Sequence, residues 1–197
     1  MKMITKGLLI SLSTMAILGV TGCGGADAQP ADQAEADFRC HKEGVLAPEW
    51  TCTPMVEGSY AEVGSAPMSA AGEGFSRREA LANGRSNLAQ QVETKVKDKV
   101  ETFVRGTGIG GGESVDKVTT QVSKQVAQVT LKGSKQIKYW QNPKSNTIYV
   151  LIAIPESTIN ESAKESVKTS FKDDNALWQQ FQSKNALEAL DKEFPAN

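Results

Sequence analysis

The spacing of hydrophobic positions along this chain changes period several times, and each change marks a predicted element. After Lys2 and Lys6 comes a largely apolar run from Gly7 to Val20. Residues 24–37 then contain no large apolar side chain at all, only small, polar and acidic ones. Such a stretch cannot bury enough surface to offset the entropy of ordering, and it reads as a flexible tether. Residues 38–57 carry Pro48, Trp50 and Pro54 and read as a loop-rich lead-in. From Gly58 to Ala66 a modest alternation predicts a first strand.

The period then becomes helical. Ser76-Arg77-Arg78-Glu79 has the form of a capping box, in which serine and glutamate satisfy each other's exposed backbone N–H groups. Leu81, Leu88, Val92, Val96, Val100 and Phe103 follow at helical spacing. Gly84 lies inside this predicted helix, where glycine costs about 1 kcal/mol relative to alanine. Its presence suggests close packing against another element. Glycines between Gly106 and Gly112 end the helix. A phosphate-binding loop would need a strand before the glycines and Lys-Ser/Thr after them. Here a helix precedes and Glu113 follows, so the run reads as a helix stop.

Val115, Val118, Val122, Val126 and Val129 form one face of a second predicted helix. Around Val129 the period drops to two, which places Leu131, Ile137 and Tyr139 on one side of a strand. Turn residues 142–146 lead into Thr147–Ile154, apolar on both faces as a central strand would be. Ile159, Ala163 and Val167 mark a helix after Pro155. A last helix is predicted from about Asp173, with Leu177, Trp178, Phe181, Leu187, Leu190 and Phe194 as its apolar face. The expected fold is α+β: a sheet of about three strands with helices packed on one face, in the order strand, helix, helix, hairpin, helix, helix.

The leader carries the most specific chemistry. A basic start, an apolar middle and small residues before a cut describe a secretory signal. Val20-Thr21-Gly22-Cys23 resembles the bacterial lipobox. That resemblance implies a diacylglyceryl group on the Cys23 sulfur, cleavage after Gly22 and a further acyl chain, such as palmitate, on the freed amine. Two or more acyl chains anchor stably where one is marginal, so the expected partner is a membrane, reached through lipid. Gly24 follows the cysteine where an aspartate would favour the inner membrane, and the implied destination is the outer membrane. The domain could then face the periplasm or the cell surface. The expected organisation is a signal over 1–22, an acylated tether over 23–37, a lead-in over 38–57 and an α+β domain over 58–197.

With Cys23 committed to lipid, Cys40 and Cys52 are left as a pair in an oxidising compartment, and a disulfide is expected. A metal site using His41 between them is the competing reading. It lacks a nearby fourth ligand.

Composition narrows the function further. Removing the leader takes away two lysines and no acid, so the net charge moves from −1 to −3. A dedicated nucleic-acid binder would be strongly basic, and no nucleic-acid partner is expected. Residues 93–144 carry ten basic against five acidic side chains, while 156–194 carry five against eight. Those halves could meet within the fold or across a subunit interface. Lys132, Lys135, Lys138, Tyr139 and Trp140 form a candidate contact surface for peptidoglycan or lipid, although simple alternation sends Lys132 and Lys138 opposite Tyr139.

Ala47-Pro48-Glu49-Trp50, the Tyr60–Ala66 segment and Arg78-Glu79-Ala80-Leu81-Ala82-Asn83-Gly84-Arg85 together resemble the Lpp-twenty family of bacterial outer-membrane lipoproteins. The resemblance covers roughly residues 45–155, and Gly84 departs from the usual alanine. Some relatives form rings around the flagellar motor, and the family carries over no catalytic residues. No Gly-x-Ser-x-Gly elbow, second histidine or metal-ligand cluster is present, and Asp173-Asp174 sits where acids favour a helix start. The expectation is a non-catalytic envelope lipoprotein without a cofactor, working by assembly with itself or with another envelope protein.

Overall fold

A computed structural model describes residues 37–183 and 185–196. The leader, Cys23 and almost all of the expected tether lie outside the described residues. From Phe38 onward the chain forms one compact unit.

The architecture is α+β. A two-stranded ribbon, β1 (His41–Lys42) and β2 (Val45–Leu46), is followed by a 3-10 turn at Glu49–Thr51. Next come strand β3 (Ser59–Ala66) and the helices α1 (Glu73–Thr107) and α2 (Glu113–Gly133). The hairpin β4 (Lys135–Gln141) and β5 (Ile148–Pro155) leads into α3 (Glu156–Lys172), α4 (Asn175–Ser183) and α5 (Ala186–Glu193). The main sheet is antiparallel, in the order β3-β5-β4, with the most apolar strand at its centre. Ile148, Val150, Ile152 and Ile154 of β5 face the helices and join Leu88, Val92, Val96, Val100 and Phe103 of α1 in the main core. Leu151 and Ala153 point the other way.

Gly84 of α1 lies against Gly64 of β3. A Cβ on Gly84 would sit 2.7 Å from Ile152 Cδ1 and 2.9 Å from the Gly64 nitrogen. Two glycines facing each other let helix and strand approach at backbone distance, and this accounts for the helix-interior glycine. Gly108, at φ 61°, ends α1 in the left-handed conformation that glycine adopts most cheaply.

Three expectations are corrected. The Ser76–Glu79 pair does not open the helix: α1 starts at Glu73 behind Gly72, and the buried Ser76 Oγ accepts the Ser69 N–H at 2.7 Å instead. That hydroxyl secures the incoming turn, not its own helix. Leu131 and Lys132 are helical, because α2 runs to Gly133 and the turn to strand comes only at Ser134. The expected last helix is two helices, broken at Asn185, whose φ is 49°. Asp174 does cap the first of them, accepting from the N–H groups of Ala176 and Leu177 at 2.9 and 3.1 Å. Helices cover one sheet face, as expected. The lead-in lies across the other, with Trp50 and Val56 packed on Ala61, Leu151 and Ala153.

The apolar stripe of the C-terminal segment is consumed within its own domain. Leu177, Phe181, Leu190 and Phe194 are buried in the main core, while Leu187 stays exposed. Lys164 pairs with Asp191 at 2.8 Å, Lys99 Nζ donates to the Glu193 carbonyl at 3.2 Å, and Asn160 Nδ2 donates to the Pro195 carbonyl at 2.9 Å.

Candidate interaction surface

A three-stranded sheet has two edges, and unpaired edges template pairing with other chains unless they are blocked. Here the two edges are treated differently. Pairing of Gly58 with Glu156 sets the phase of β3, so that Val63 and Ser65 turn their backbone groups outward. Helix α1 runs along this edge and takes two of its carbonyls. Asn83 Nδ2 donates to the Ser65 carbonyl at 2.9 Å and Asn87 Nδ2 to the Val63 carbonyl at 3.3 Å. Gln91 Nε2 continues the line to Glu62 Oε1 at 2.9 Å. These amides recur every fourth residue along one helix face, a spacing legible in the sequence once the partner strand is known.

Strand β4 forms the other edge. Its phase is set by the Asn142 N–H bond to the Thr147 carbonyl, which turns the backbone groups of Tyr139 and Gln141 outward. A register shift between Gln136 and Lys138 makes Ile137 the extra residue of a β-bulge. That single residue moves Lys135 onto the face of Lys138 and Trp140, while Lys138 stays opposite Tyr139 as alternation requires. Lys135 pairs with Ala153, Lys138 with Leu151 and Trp140 with Tyr149, so all three share the face opposite the helices. Tyr139 pairs with Val150 on the helix side, separated from them. There its hydroxyl donates to Glu73 Oε1 at 3.1 Å and Arg77 stands 5.6 Å over its ring. Arg77 also donates to Gln136 Oε1 at 2.9 Å. Burial and then Glu73 push the Tyr139 hydroxyl pKa up. Of the five residues proposed for a contact surface, the structure unites Lys135, Lys138 and Trp140 and sends Lys132 to the end of α2. Trp140 is braced by Tyr149, with ring centroids 5.4 Å apart.

The lead-in is held against this face by a disulfide and a polar clasp. Cys40 and Cys52 are bonded, their Cα atoms 5.9 Å apart, which removes the thiolates a metal would need. His41 Nδ1 donates to the Arg39 carbonyl at 2.7 Å. Among the described residues no cluster of ligating side chains could hold a metal ion. At the tip of the β1–β2 ribbon, Glu43 accepts from Tyr149 Oη at 3.1 Å, Asn142 Nδ2 at 2.8 Å and the Ser145 hydroxyl. Asn142, fully buried, also donates to the Lys42 carbonyl at 2.9 Å. The Ser145 hydrogen bond is the chief reason the Glu43 carboxyl sits below its ordinary pKa. Burial, with Glu43 adding to it, pushes Tyr149 up to about 12.

The Asp173-Asp174 pair borders a cleft of about 380 Å³ with Glu113 and Lys117. Asp174 is already engaged as the cap of α4.

The chain's match to known proteins follows the same elements. The family model of the LPP20 lipoproteins covers residues 48–155, from the lead-in proline through the end of β5. The chain belongs to the LPP20 lipoprotein family. No curated protein matches it. The family places this chain in the cell envelope as a lipoprotein, and among the described residues no helix is long and apolar enough to cross a membrane. The LPP20 region thus spans the sheet, both its edges and the α1–α2 pair, while α3 to α5 lie beyond it.

Proposed function

We propose that this LPP20 lipoprotein is acylated at Cys23, resides in the bacterial outer membrane and acts without catalysis, as a structural or assembly component of the envelope. The observation that carries the reading is the asymmetry of the sheet. One edge has two of its outward carbonyls taken by amides of α1, while the β4 edge keeps outward backbone groups beside Lys135, Lys138 and Trp140. An edge left open in a protein that lays its own helix along the other one is suited to an envelope partner or a second copy. The polar groups singled out in the sequence support a non-catalytic role: Asp174 caps a helix and the two lead-in cysteines are joined.

Two experiments test this. Fatty-acid labelling should mark the wild-type protein and not Cys23→Ala, with outer-membrane fractions holding the labelled form; label persisting in the variant overturns the anchor. A photo-crosslinking amino acid at Tyr139 should give adducts with envelope proteins in cells, and one at Leu187 on α5 should not. Equal yields at both positions, or none, would remove the assembly role.

The bulge favours a second reading, in which the same face contacts peptidoglycan. It gathers two lysines and a braced tryptophan that plain alternation does not. Under this reading the protein co-sediments with purified sacculi and Lys135→Glu/Lys138→Glu does not. Association with the flagellar motor is a narrower version of the assembly role, supported if flagellar genes flank this one.

A further inference from the structure

The lead-in is a thin layer with two sides. Its inner side is the small core of Trp50 and Val56 on the sheet, with Cys40, Ala47 and Thr51 also buried. Its remaining large apolar side chains are conspicuously exposed: Phe38 at 95%, Met55 at 77% and Leu46 at 53%. Single exposed apolar residues are ordinary, but three on one short segment call for an occupant. All three lie on the disulfide-bonded segment. Phe38 lies two residues before Cys40 and Met55 three after Cys52, while Leu46 precedes Ala47, whose N–H bonds the Cys40 carbonyl at 2.8 Å. Charges of both signs flank this group, Arg39 and Lys42 with Asp37, Glu49 and Glu57, while Glu43 is turned onto Ser145, Tyr149 and Asn142.

We propose that the outer side of the disulfide-bonded lead-in docks on the phospholipid surface to which the protein is anchored, through Phe38, Leu46 and Met55. The inference rests on acylation at Cys23 and goes beyond it, since an anchor alone leaves the domain's orientation undefined. Chain length selects the occupant. Fourteen residues separate Cys23 from Phe38. Fully extended they reach at most about 50 Å, at 3.3–3.6 Å per residue. The bilayer therefore stays within reach of this face in every anchored copy, whereas a second copy must be met by diffusion. Exposed apolar side chains of this size match the acyl boundary of a bilayer.

The test uses the full-length acylated protein in phosphatidylethanolamine–phosphatidylglycerol vesicles, with and without brominated acyl chains. Phe38→Trp and Met55→Trp each add a fluorophore on the docking side, and Leu187→Trp adds one on exposed α5 as the control. The emission added at positions 38 and 55 should be lost on brominated vesicles, and that added at 187 retained. Retention at 38 and 55 overturns docking. So does a protein-concentration-dependent blue shift there without bromine quenching, which would identify a second copy as occupant. Intact mass separates the two levels of the argument: a missing acyl mass overturns the anchor and the docking together, whereas an acylated but unquenched protein overturns docking alone. Recovery of the linked Cys40–Cys52 peptides shows that each variant is folded in the lead-in.

Discussion

At the scale of single residues, backbone distance outweighs intrinsic propensity. Alanine is favoured over glycine in a helix by about 1 kcal/mol, yet Gly84→Ala should destabilise this protein. The added methyl meets Ile152 and the Gly64 backbone inside contact distance, and overpacking of this kind costs about 1–3 kcal/mol. Urea unfolding should show a lower midpoint with unchanged slope. A midpoint at or above wild type would mean that α1 and β3 are not in backbone contact. The three tyrosines give a second test at this scale. Burial, reinforced by Glu156 and Glu43 respectively, pushes Tyr60 and Tyr149 up to about 12, and Tyr139 is raised as well. An absorbance titration of the folded protein should therefore show Tyr60 and Tyr149 ionising well above the ordinary value of about 10. Either one ionising near the ordinary value would show that its ring is not buried beside its carboxylate partner.

At the scale of elements, the lead-in is the part whose attachment depends on pH. The folded Glu43 carboxyl lies below its ordinary pKa, so the folded state holds this group ionised more readily than the unfolded chain does. Its contribution is present above the unfolded carboxylate value, about 4.3, and is lost as pH falls through the lowered folded value. Acid should therefore loosen the ribbon tip from the β4–β5 turn. Lower protection factors, with the intrinsic pH dependence of amide exchange divided out, should report it at residues 41–46 on acidification, while Glu43→Gln should already be weakly protected at neutral pH and change little with acid. An acid-independent wild type would assign the attachment to the disulfide and Trp50 alone.

For the whole molecule, the question is what the C-terminal helices cover. Leu177, Phe181, Leu190 and Phe194 lie in the main core, and burying each is worth about 1.5–3 kcal/mol. Their sum is comparable to the net stability of an ordinary domain, about 5–15 kcal/mol. Truncation after Asp174 should therefore abolish cooperative thermal unfolding. A truncated protein that keeps its transition and merely drops from oligomer to monomer in light scattering would place the stripe in a subunit interface instead. Self-assembly, where it occurs, is then left to surfaces such as β4 and not to this stripe.

Much of this was legible in the order of residues. Valine and leucine at helical spacing set α1 and α2, a doubly apolar run set the central strand, and two cysteines beyond the leader set the disulfide. These are local signals, because side-chain period is a property of a short window and helix stops need only glycine. Asp174 and Gly108 act as those local rules require. Pairing is not local. Whether Ile137 is an ordinary strand residue or a bulge depends on which β5 residues oppose it, and that one unit of register decides whether Lys135 shares a face with Lys138 and Trp140 or with Tyr139. Ser76 had the sequence of a cap but serves the turn before its helix, since the approach of Ser69 is fixed by how β3 enters α1. Glu43 and Asn142 stand 99 residues apart, and only folding brings them together. The sequence by itself determined the elements and the lipoprotein character; the tertiary structure decided which edge is open and which side of the lead-in is bare, because hydrogen-bond partners and covered faces exist only between segments.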